Sequence, residues 1–222
     1  MADSSPPVTP RPKGRSSTPP AEGLRLLVLG SSVAEGFCAE SKFGWTKMMA
    51  KALARHGVWT ANRAAAGTNV AFWQERWQEI VTREELASFD IVVLSLSMAN
   101  EGLPWLRAPA DMDALTDRYL AGYNAVVKAL RQHLVKPGAR IIVGCPYPND
   151  DYEEAHLTRL ERVREAIRSW PEVDYAVDFL TPLVHAGAGR WCKGLASDAG
   201  HPNSEGHAQM FASLDLDKVL GH

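Results

Sequence analysis

The sequence predicts a three-layer α/β/α sandwich around a central, mostly parallel five-stranded sheet. Two observations predict this fold. Short apolar runs of strand character alternate along the chain with longer segments in which apolar residues recur every three or four positions. The apolar runs are also bounded by small or polar residues that indicate turns. Alternating strands and helices require right-handed crossovers, which place helices on both faces of a parallel sheet.

Five segments are predicted as strands. The first, LRLLVLG at residues 24–30, is a continuous apolar run that ends in glycine, which is typical of a central strand buried on both faces. The other four lie at residues 58–64, 90–97, 139–145 and 173–180. In open parallel sheets, functional groups gather at the carboxyl ends of the strands, so the residues after these segments are candidates for a site.

The segments between the strands are predicted as helices. In chain order the helices cover residues 45–57, 112–134, 152–170 and 204–220, and residues 73–86 are an amphipathic segment. The first helix is closed by a glycine cap, and Pro137-Gly138 ends the second, which has the longest run of helical apolar spacing.

Length and charge limit the class of protein. At 222 residues the chain fits one domain with its own apolar core. A formal net charge of −2 gives no strong field for nucleic acid or an anionic membrane, so a small-molecule partner is expected. Three cysteines, Cys38, Cys145 and Cys192, are too few and too scattered for a disulfide framework or a zinc site with paired ligands. The oligomeric state is left open.

Residues 1–22 differ in composition from the rest. They are rich in Pro, Ser, Thr and Gly and nearly free of apolar residues, so we predict a disordered tail before a folded domain at 23–222. No apolar stretch follows a basic start as in a secretory signal, and no run is long enough for a membrane span. A cytoplasmic location is expected, and a plastid or mitochondrial transit peptide is left open.

A pair of serines follows the first predicted strand. The segment GSSVAEG at 30–36 places Ser31 and Ser32 in a glycine-flanked turn before a helix. Small neighbours let a substrate approach, and unpaired N–H groups of a helix start can face a developing oxyanion, so the position suits a nucleophile. Taken alone, a serine here is more often a helix cap.

A carboxylate and an imidazole lie close together near the end of the chain. DAGHPN at 198–203 places Asp198 three residues before His201 in a turn. Such an aspartate can fix the histidine tautomer, which leaves the other ring nitrogen to take a proton from a serine hydroxyl. In isolation, an Asx turn beside a surface histidine is the better explanation. When the pair is considered together with Ser32, the helix-cap and Asx-turn explanations both weaken, and a Ser–His–Asp triad becomes a candidate.

Two further segments follow the second and third predicted strands. Gly67, in AGT, can present a backbone N–H, and Asn100, in MANE, a side-chain amide. Both are the kinds of donor that stabilise an oxyanion. A plain turn and a strand-end amide are about equally good explanations of these two residues.

These four blocks, in this chain order, resemble the SGNH or GDSL-like hydrolases over nearly all of the chain after the first strand begins. GSSVAEG is similar to the GDS-x-x-x-G block, with Ser32 at the nucleophile. Gly67 matches the glycine of the second block, and MANE is similar to G-x-N-D, with Asn100 at the oxyanion asparagine. DAGHPN matches D-x-x-H, with Asp198 and His201 at the acid and base positions.

The resemblance implies a flavodoxin-like fold and a serine esterase that needs no metal or organic cofactor. His201 would deprotonate Ser32, and the oxyanion would rest on the N–H groups of Ser32 and Gly67 and on the Asn100 amide. We expect an ester substrate with a short acyl or acetyl group, because no long hydrophobic insertion is present to house a long chain.

Two alternatives remain open from the sequence. One is an acyltransferase with the same triad, which sequence does not separate from a hydrolase. The other is a non-catalytic binding domain that keeps the fold. This alternative is considered because Ser31, Met98 and Glu101 replace the Asp, Gly and Asp found in the family's blocks. Met98 is expected to reshape the pocket.

Three other features of the sequence do not add to the four blocks. Cys38 has no histidine near it in sequence, so a structural role is expected. Tryptophans near predicted loops are equally consistent with an acyl or sugar pocket and with core packing; they are Trp73, Trp77, Trp105 and Trp191. The glycine-rich stretch at 184–194, just before the acid, is a candidate rim or lid.

Overall fold

The computed structural model describes residues 23–185 and 187–222, so the tail predicted at residues 1–22 lies outside the described residues. A five-stranded, fully parallel sheet forms the centre. Its strands are β1 (Arg25–Gly30), β2 (Trp59–Asn62), β3 (Ile91–Ser95), β4 (Arg140–Gly144) and β5 (Tyr175–Val177). Their order, β2-β1-β3-β4-β5, is that of flavodoxin-like sheets and confirms the predicted fold class.

Eight helices surround the sheet in the described part of the chain. They are α1 (Ser32–Glu35), α2 (Trp45–Leu53), α3 (Val70–Ile80), α4 (Arg83–Leu86), α5 (Pro109–His133), α6 (Glu154–Arg168), α7 (Ser204–Ala212) and α8 (Leu216–Leu220). Short 3-10 turns lie at Glu40–Lys42, Ala54–His56, Met98–Glu101 and Leu103–Trp105. A two-stranded antiparallel hairpin, β6 (Ala196–Asp198) and β7 (His201–Pro202), stands apart from the main sheet.

The alternation of side chains along each strand separates two apolar cores. Leu27 and Leu29 of β1 face the core shared with α3, α4, α5 and α6. Leu26 and Val28 face the opposite core, shared with α1, α2, α7 and α8. Both faces of the central strands are therefore covered, which is why these strands read as continuous apolar runs.

The strand order changes direction at β1, which has β2 on one side and β3 on the other. Clefts in open α/β sheets form at such a point. Gly30, the last residue of β1, comes very close to β3 there, since a Cβ on this residue would lie 2.3 Å from the Ser95 carbonyl oxygen. Glycine is therefore the residue that lets β1 and the following turn approach β3.

The end of the chain differs from the sequence prediction. A single closing helix was expected at 204–220, but α7 ends at Ala212 and α8 begins at Leu216. Asp215 takes an extended conformation, and its side chain accepts from the Lys218 N–H, which caps a new helix. The predicted fifth strand, at 173–180, is also shorter and pairs only over Tyr175–Val177.

No helix within the described residues combines the length and the apolar character needed to cross a membrane.

Candidate active site

The turn after β1 presents Ser32 at the carboxyl edge of the sheet. Ser32 is the first residue of α1, and the preceding Ser31 is extended and donates its N–H to the Ser95 carbonyl at 3.3 Å. Gly36, with a left-handed φ of 90°, ends the helix after one turn. Ser32 is 7% exposed. Its hydroxyl is therefore held by the sheet in a fixed, mostly buried position.

The β6–β7 hairpin carries the other two predicted residues. Asp198 Oδ1 accepts from the Gly200 and His201 N–H groups, each at 2.9 Å, which forms a tight local turn. His201 Nδ1 lies 2.8 Å from Asp198 Oδ1 and 3.0 Å from Oδ2. Partial burial raises the pKa of Asp198, but the hydrogen bonds from His201 and Gly200 outweigh it and hold this pKa below its ordinary value.

Folding brings these two segments together. Ser32 Oγ lies 3.0 Å from His201 Nε2, although the residues are 169 positions apart in sequence. The imidazole therefore bridges a hydroxyl on one nitrogen and a carboxylate on the other. With the proton on Nδ1, such an arrangement can accept the serine proton on Nε2 and stabilise the resulting imidazolium.

Two residues anchor the tip of the hairpin through contacts that the sequence did not indicate. The Ala199 carbonyl accepts from the Asp150 N–H at 2.8 Å and from the Trp191 Nε1–H at 3.1 Å. Trp191 belongs to the stretch at 184–194 considered as a lid, where Val184 also pairs with it in a β-bridge. This part of the stretch therefore holds the turn between Asp198 and His201 in place.

Gly67 and Asn100 lie in the turns that follow β2 and β3. Gly67 has a left-handed φ of 76°, which favours glycine. Asn100 Nδ2 donates to the Thr68 carbonyl at 2.8 Å, which joins the two turns. An amide nitrogen has two hydrogens, so this bond orients the second one for another acceptor.

The three departures from the family's blocks take definite places. Met98 is buried in the apolar core with α3 and α5, and its expected effect on the shape of the pocket stays a prediction. Glu101 accepts from the Val70 N–H at 2.7 Å and caps the start of α3. Burial raises the pKa of Glu101 despite this hydrogen bond. Ser31 is fully buried.

An exposed segment after α1 touches Asp198 and His201. The Phe37 ring packs against His201 with 4.7 Å between ring centroids, and Cys38 Sγ lies 3.8 Å from Asp198 Oδ2. His207, which is buried, has its Nε2 2.9 Å from the Phe37 carbonyl oxygen. These contacts join residues about 160 positions apart, so neither spacing nor pattern indicated them.

The four tryptophans considered in the sequence differ in their burial. Trp73, Trp77 and Trp191 are buried in the apolar cores. Trp105, which follows the MANE turn, is 76% exposed. Core packing therefore explains three of the four.

Residues 28–209 match the model of the GDSL-like Lipase/Acylhydrolase family. The chain belongs to this family. Membership identifies the protein as an ester-hydrolysing enzyme, in agreement with the resemblance seen in the sequence. A search of curated protein sequences found no match.

Solved structures of GDSL and SGNH hydrolases have the same fold as this family member. The lipase Lip_vut3 from a goat rumen metagenome superposes with a TM-score of 0.71 at 14% identity, covering 86% of this chain and 95% of that one. TesA superposes with a TM-score of 0.65 at 20% identity, covering 89% and 98%.

A catalytic mutant of Axe2, an acetylxylan esterase from Geobacillus stearothermophilus, has a TM-score of 0.64 at 16% identity, covering 92% of this chain and 97% of that one. The catalytic mutants of Axe2 replace a histidine, a serine or an aspartate, and its aspartate lies three residues before its histidine.

Proposed function

We propose that the protein is a serine esterase in which Ser32 is the nucleophile, His201 the general base and Asp198 the acid that orients it. The observation that carries this proposal is the continuous chain of contacts from Ser32 Oγ through both nitrogens of His201 to the Asp198 carboxylate. The residues replaced in the catalytic mutants of Axe2 are of the same three types in the same chain order, with the same spacing of aspartate and histidine.

The reaction follows from this geometry. His201 Nε2 takes the Ser32 proton as Oγ attacks the acyl carbonyl, and Asp198 stabilises the imidazolium. The imidazolium then protonates the leaving alcohol, which departs and leaves an acyl-enzyme. A water molecule, deprotonated by the same histidine, releases the acid and restores Ser32.

Three donors are proposed for the oxyanion. Ser32 is the first residue of α1, so its N–H has no partner within the helix. Gly67 offers an N–H that takes part in no hydrogen bond among the described residues, in a turn where a Cβ would meet nothing within 4 Å. Asn100 supplies the amide hydrogen left over from its bond to Thr68. Such donors act most strongly where charge develops in the transition state.

A short acyl or acetyl ester is the proposed substrate. Each described helix of eight or more residues packs on one of the two faces of the sheet, so none of them forms an extra cap over a long acyl chain. Axe2, whose fold is similar, is an acetylxylan esterase. A small alcohol or sugar as leaving group fits a site with an open, half-exposed acid–base side.

The deciding experiment compares p-nitrophenyl acetate hydrolysis by the wild type, Ser32→Ala and Ser31→Ala. We expect Ser32→Ala to lower kcat by roughly 10⁴-fold or more, because the other triad residues cannot act without the nucleophile. Ser31→Ala is a matched control, since it removes the neighbouring buried hydroxyl and should stay within about tenfold of the wild type. A fluorophosphonate should label Ser32 and leave Ser32→Ala unmodified.

Two further assays define the substrate. A series of p-nitrophenyl esters should give its highest kcat/KM at about two to four acyl carbons, because the size of the acyl pocket limits the chain length that fits. Adding an alcohol or sugar acceptor separates hydrolase from acyltransferase, because a transferase forms the new ester faster than the free acid. Equal rates for wild type and Ser32→Ala would contradict the proposed mechanism and favour a binding domain.

A further inference from the structure

Cys38, Asp198 and His201 form a cluster of three different metal-ligating groups. One ligand atom from each residue lies within 4.8 Å of the others. Cys38 Sγ is 3.8 Å from Asp198 Oδ2, and His201 Nδ1 is 3.0 Å from the same oxygen. The three groups therefore converge on one carboxylate from two parts of the chain.

We propose that this cluster is an inhibitory site for a thiophilic divalent cation such as Zn²⁺. Cys38 would supply a thiolate, Asp198 a carboxylate oxygen and His201 its Nδ1, with water as the fourth ligand. Tetrahedral zinc with these ligands needs donor atoms roughly 3.3–3.6 Å apart, as Zn–S and Zn–N distances require. Two separations in the cluster, 2.8 and 3.8 Å, lie on either side of that range and none exceeds 4.8 Å, so binding requires only small shifts of these side chains.

Access and ligand type support the assignment. Cys38 is partly exposed, the Asp198 side chain is 50% exposed and that of His201 is 26% exposed, so a hydrated ion reaches all three from solvent. A thiolate with an imidazole selects zinc and similar soft ions over Mg²⁺ and Ca²⁺, which prefer oxygen ligands. Burial and the nearby Asp198 charge raise the pKa of the Cys38 thiol, so the bound ion must displace its proton.

The consequence for the reaction follows from the histidine tautomer and rests on the proposed function. A metal on Nδ1 needs the lone pair of that nitrogen, so the ring proton moves to Nε2. Nε2 then faces Ser32 Oγ as a donor and cannot accept the serine proton. The metal also takes the Asp198 oxygen that would stabilise the imidazolium. The thiol proton is released to solvent, no electron is transferred, and removing the metal restores the triad.

The test compares metal inhibition in the wild type, Cys38→Ala, Cys38→Ser and Cys192→Ala. Cys192 is the matched control because it is the chain's other partly exposed cysteine. Each rate with Zn²⁺ is referred to the same variant's rate with a chelator. We expect both Cys38 variants to need roughly tenfold more Zn²⁺ or higher for half-inhibition, because a thiolate ligand is lost. Cys192→Ala should match the wild type, and Mg²⁺ should not inhibit.

A binding readout separates this proposal from the esterase assignment. Co²⁺ bound to a thiolate gives a charge-transfer band in the near ultraviolet, and we expect this band in the wild type and in Ser32→Ala but not in either Cys38 variant. The band in a protein that proves to be no esterase would leave the metal site standing and remove its inhibitory role. A band in the Cys38 variants, or equal Zn²⁺ inhibition in all four proteins, would overturn the proposal.

Discussion

The two sides of the site are held in place by different means. Ser32 sits on the edge of the main sheet, where β1 and β3 fix its turn and leave it 7% exposed. Asp198 and His201 sit on a small hairpin with side chains that are 50% and 26% exposed. The side of the proposed nucleophile is thus positioned by the core of the molecule, and the side of the proposed acid and base by a few hydrogen bonds.

This difference separates function from stability. A change on the acid–base side should reduce activity with little effect on folding, because few core contacts depend on it. A change in the turn that carries Ser32 should affect both, because the turn and the sheet share backbone contacts.

Asp198→Asn should break the acid–base side alone. An amide in place of the carboxylate favours the wrong imidazole tautomer, which in serine hydrolases lowers kcat by about 10⁴-fold. We expect a loss of that size in p-nitrophenyl acetate hydrolysis and a melting temperature close to that of the wild type. Activity within tenfold of the wild type would mean that Asp198 does not orient His201.

Asn100→Ala should remove one oxyanion donor. The expected loss is 10²–10³-fold in kcat, or about 2.7 to 4 kcal/mol of transition-state stabilisation, with KM little changed. Glu101→Gln is the control, because it keeps an acceptor for the Val70 N–H at the start of α3. If both variants lose activity equally, the turn rather than the amide is what matters.

Gly30→Ala should break the nucleophile side through the sheet. The new Cβ would lie 2.3 Å from the Ser95 carbonyl oxygen and 2.8 Å from the Ala34 Cβ, so backbone must move. We expect about 3 kcal/mol lower free energy of unfolding in urea, together with lost activity. Gly138→Ala, where a Cβ meets nothing within 4 Å, should cost about 1–2 kcal/mol from its positive φ alone.

Asn203→Ala should loosen the hairpin that carries Asp198 and His201. Asn203 caps α7 through the Gly206 N–H at 2.9 Å, and its amide donates to the Gly194 carbonyl at 2.7 Å. We expect a loss of about 1–2 kcal/mol in stability, as for other caps, accompanied by reduced kcat. Thr82→Ala removes the cap of α4, away from the site, and should cost similar stability without changing kcat.

The smallest effect concerns acid stability. The pKa of Asp198 lies below its usual 3.8 in the folded state, so its ionised form stabilises the fold at pH values above that figure. This contribution is lost as pH falls through the lower native pKa. The difference in unfolding free energy between the wild type and Asp198→Asn should therefore shrink below about pH 4. A constant difference from pH 7 to pH 3 would contradict this explanation.

Local pattern was enough to predict the architecture, whereas the proposed site residues were singled out by the resemblance of four short blocks to a family. Alternating apolar periods predict strands buried on both faces and helices that cover them, and this alternation predicts a parallel sheet. Ser32, Gly67 and Asn100 then follow strands of that sheet. The three-residue spacing of Asp198 and His201 permits their contact within one turn, so this pair needs no long-range information. The closing helix was predicted too long because a capping aspartate inside an apolar pattern is a weak signal.

Tertiary structure alone decided what surrounds these residues. The anchors of the hairpin at Asp150 and Trp191, and the contacts of Phe37 and Cys38 with the acid–base pair, join segments with no shared spacing. Likewise, Glu101 accepts a hydrogen bond from the Val70 N–H because α3 starts beside it. Periodicity indicates which face of a helix or strand is buried. Which residue of another segment contacts that face depends on how whole layers pack. Local pattern therefore determines the elements and the residues at their ends, and the packing of the layers determines what surrounds those residues.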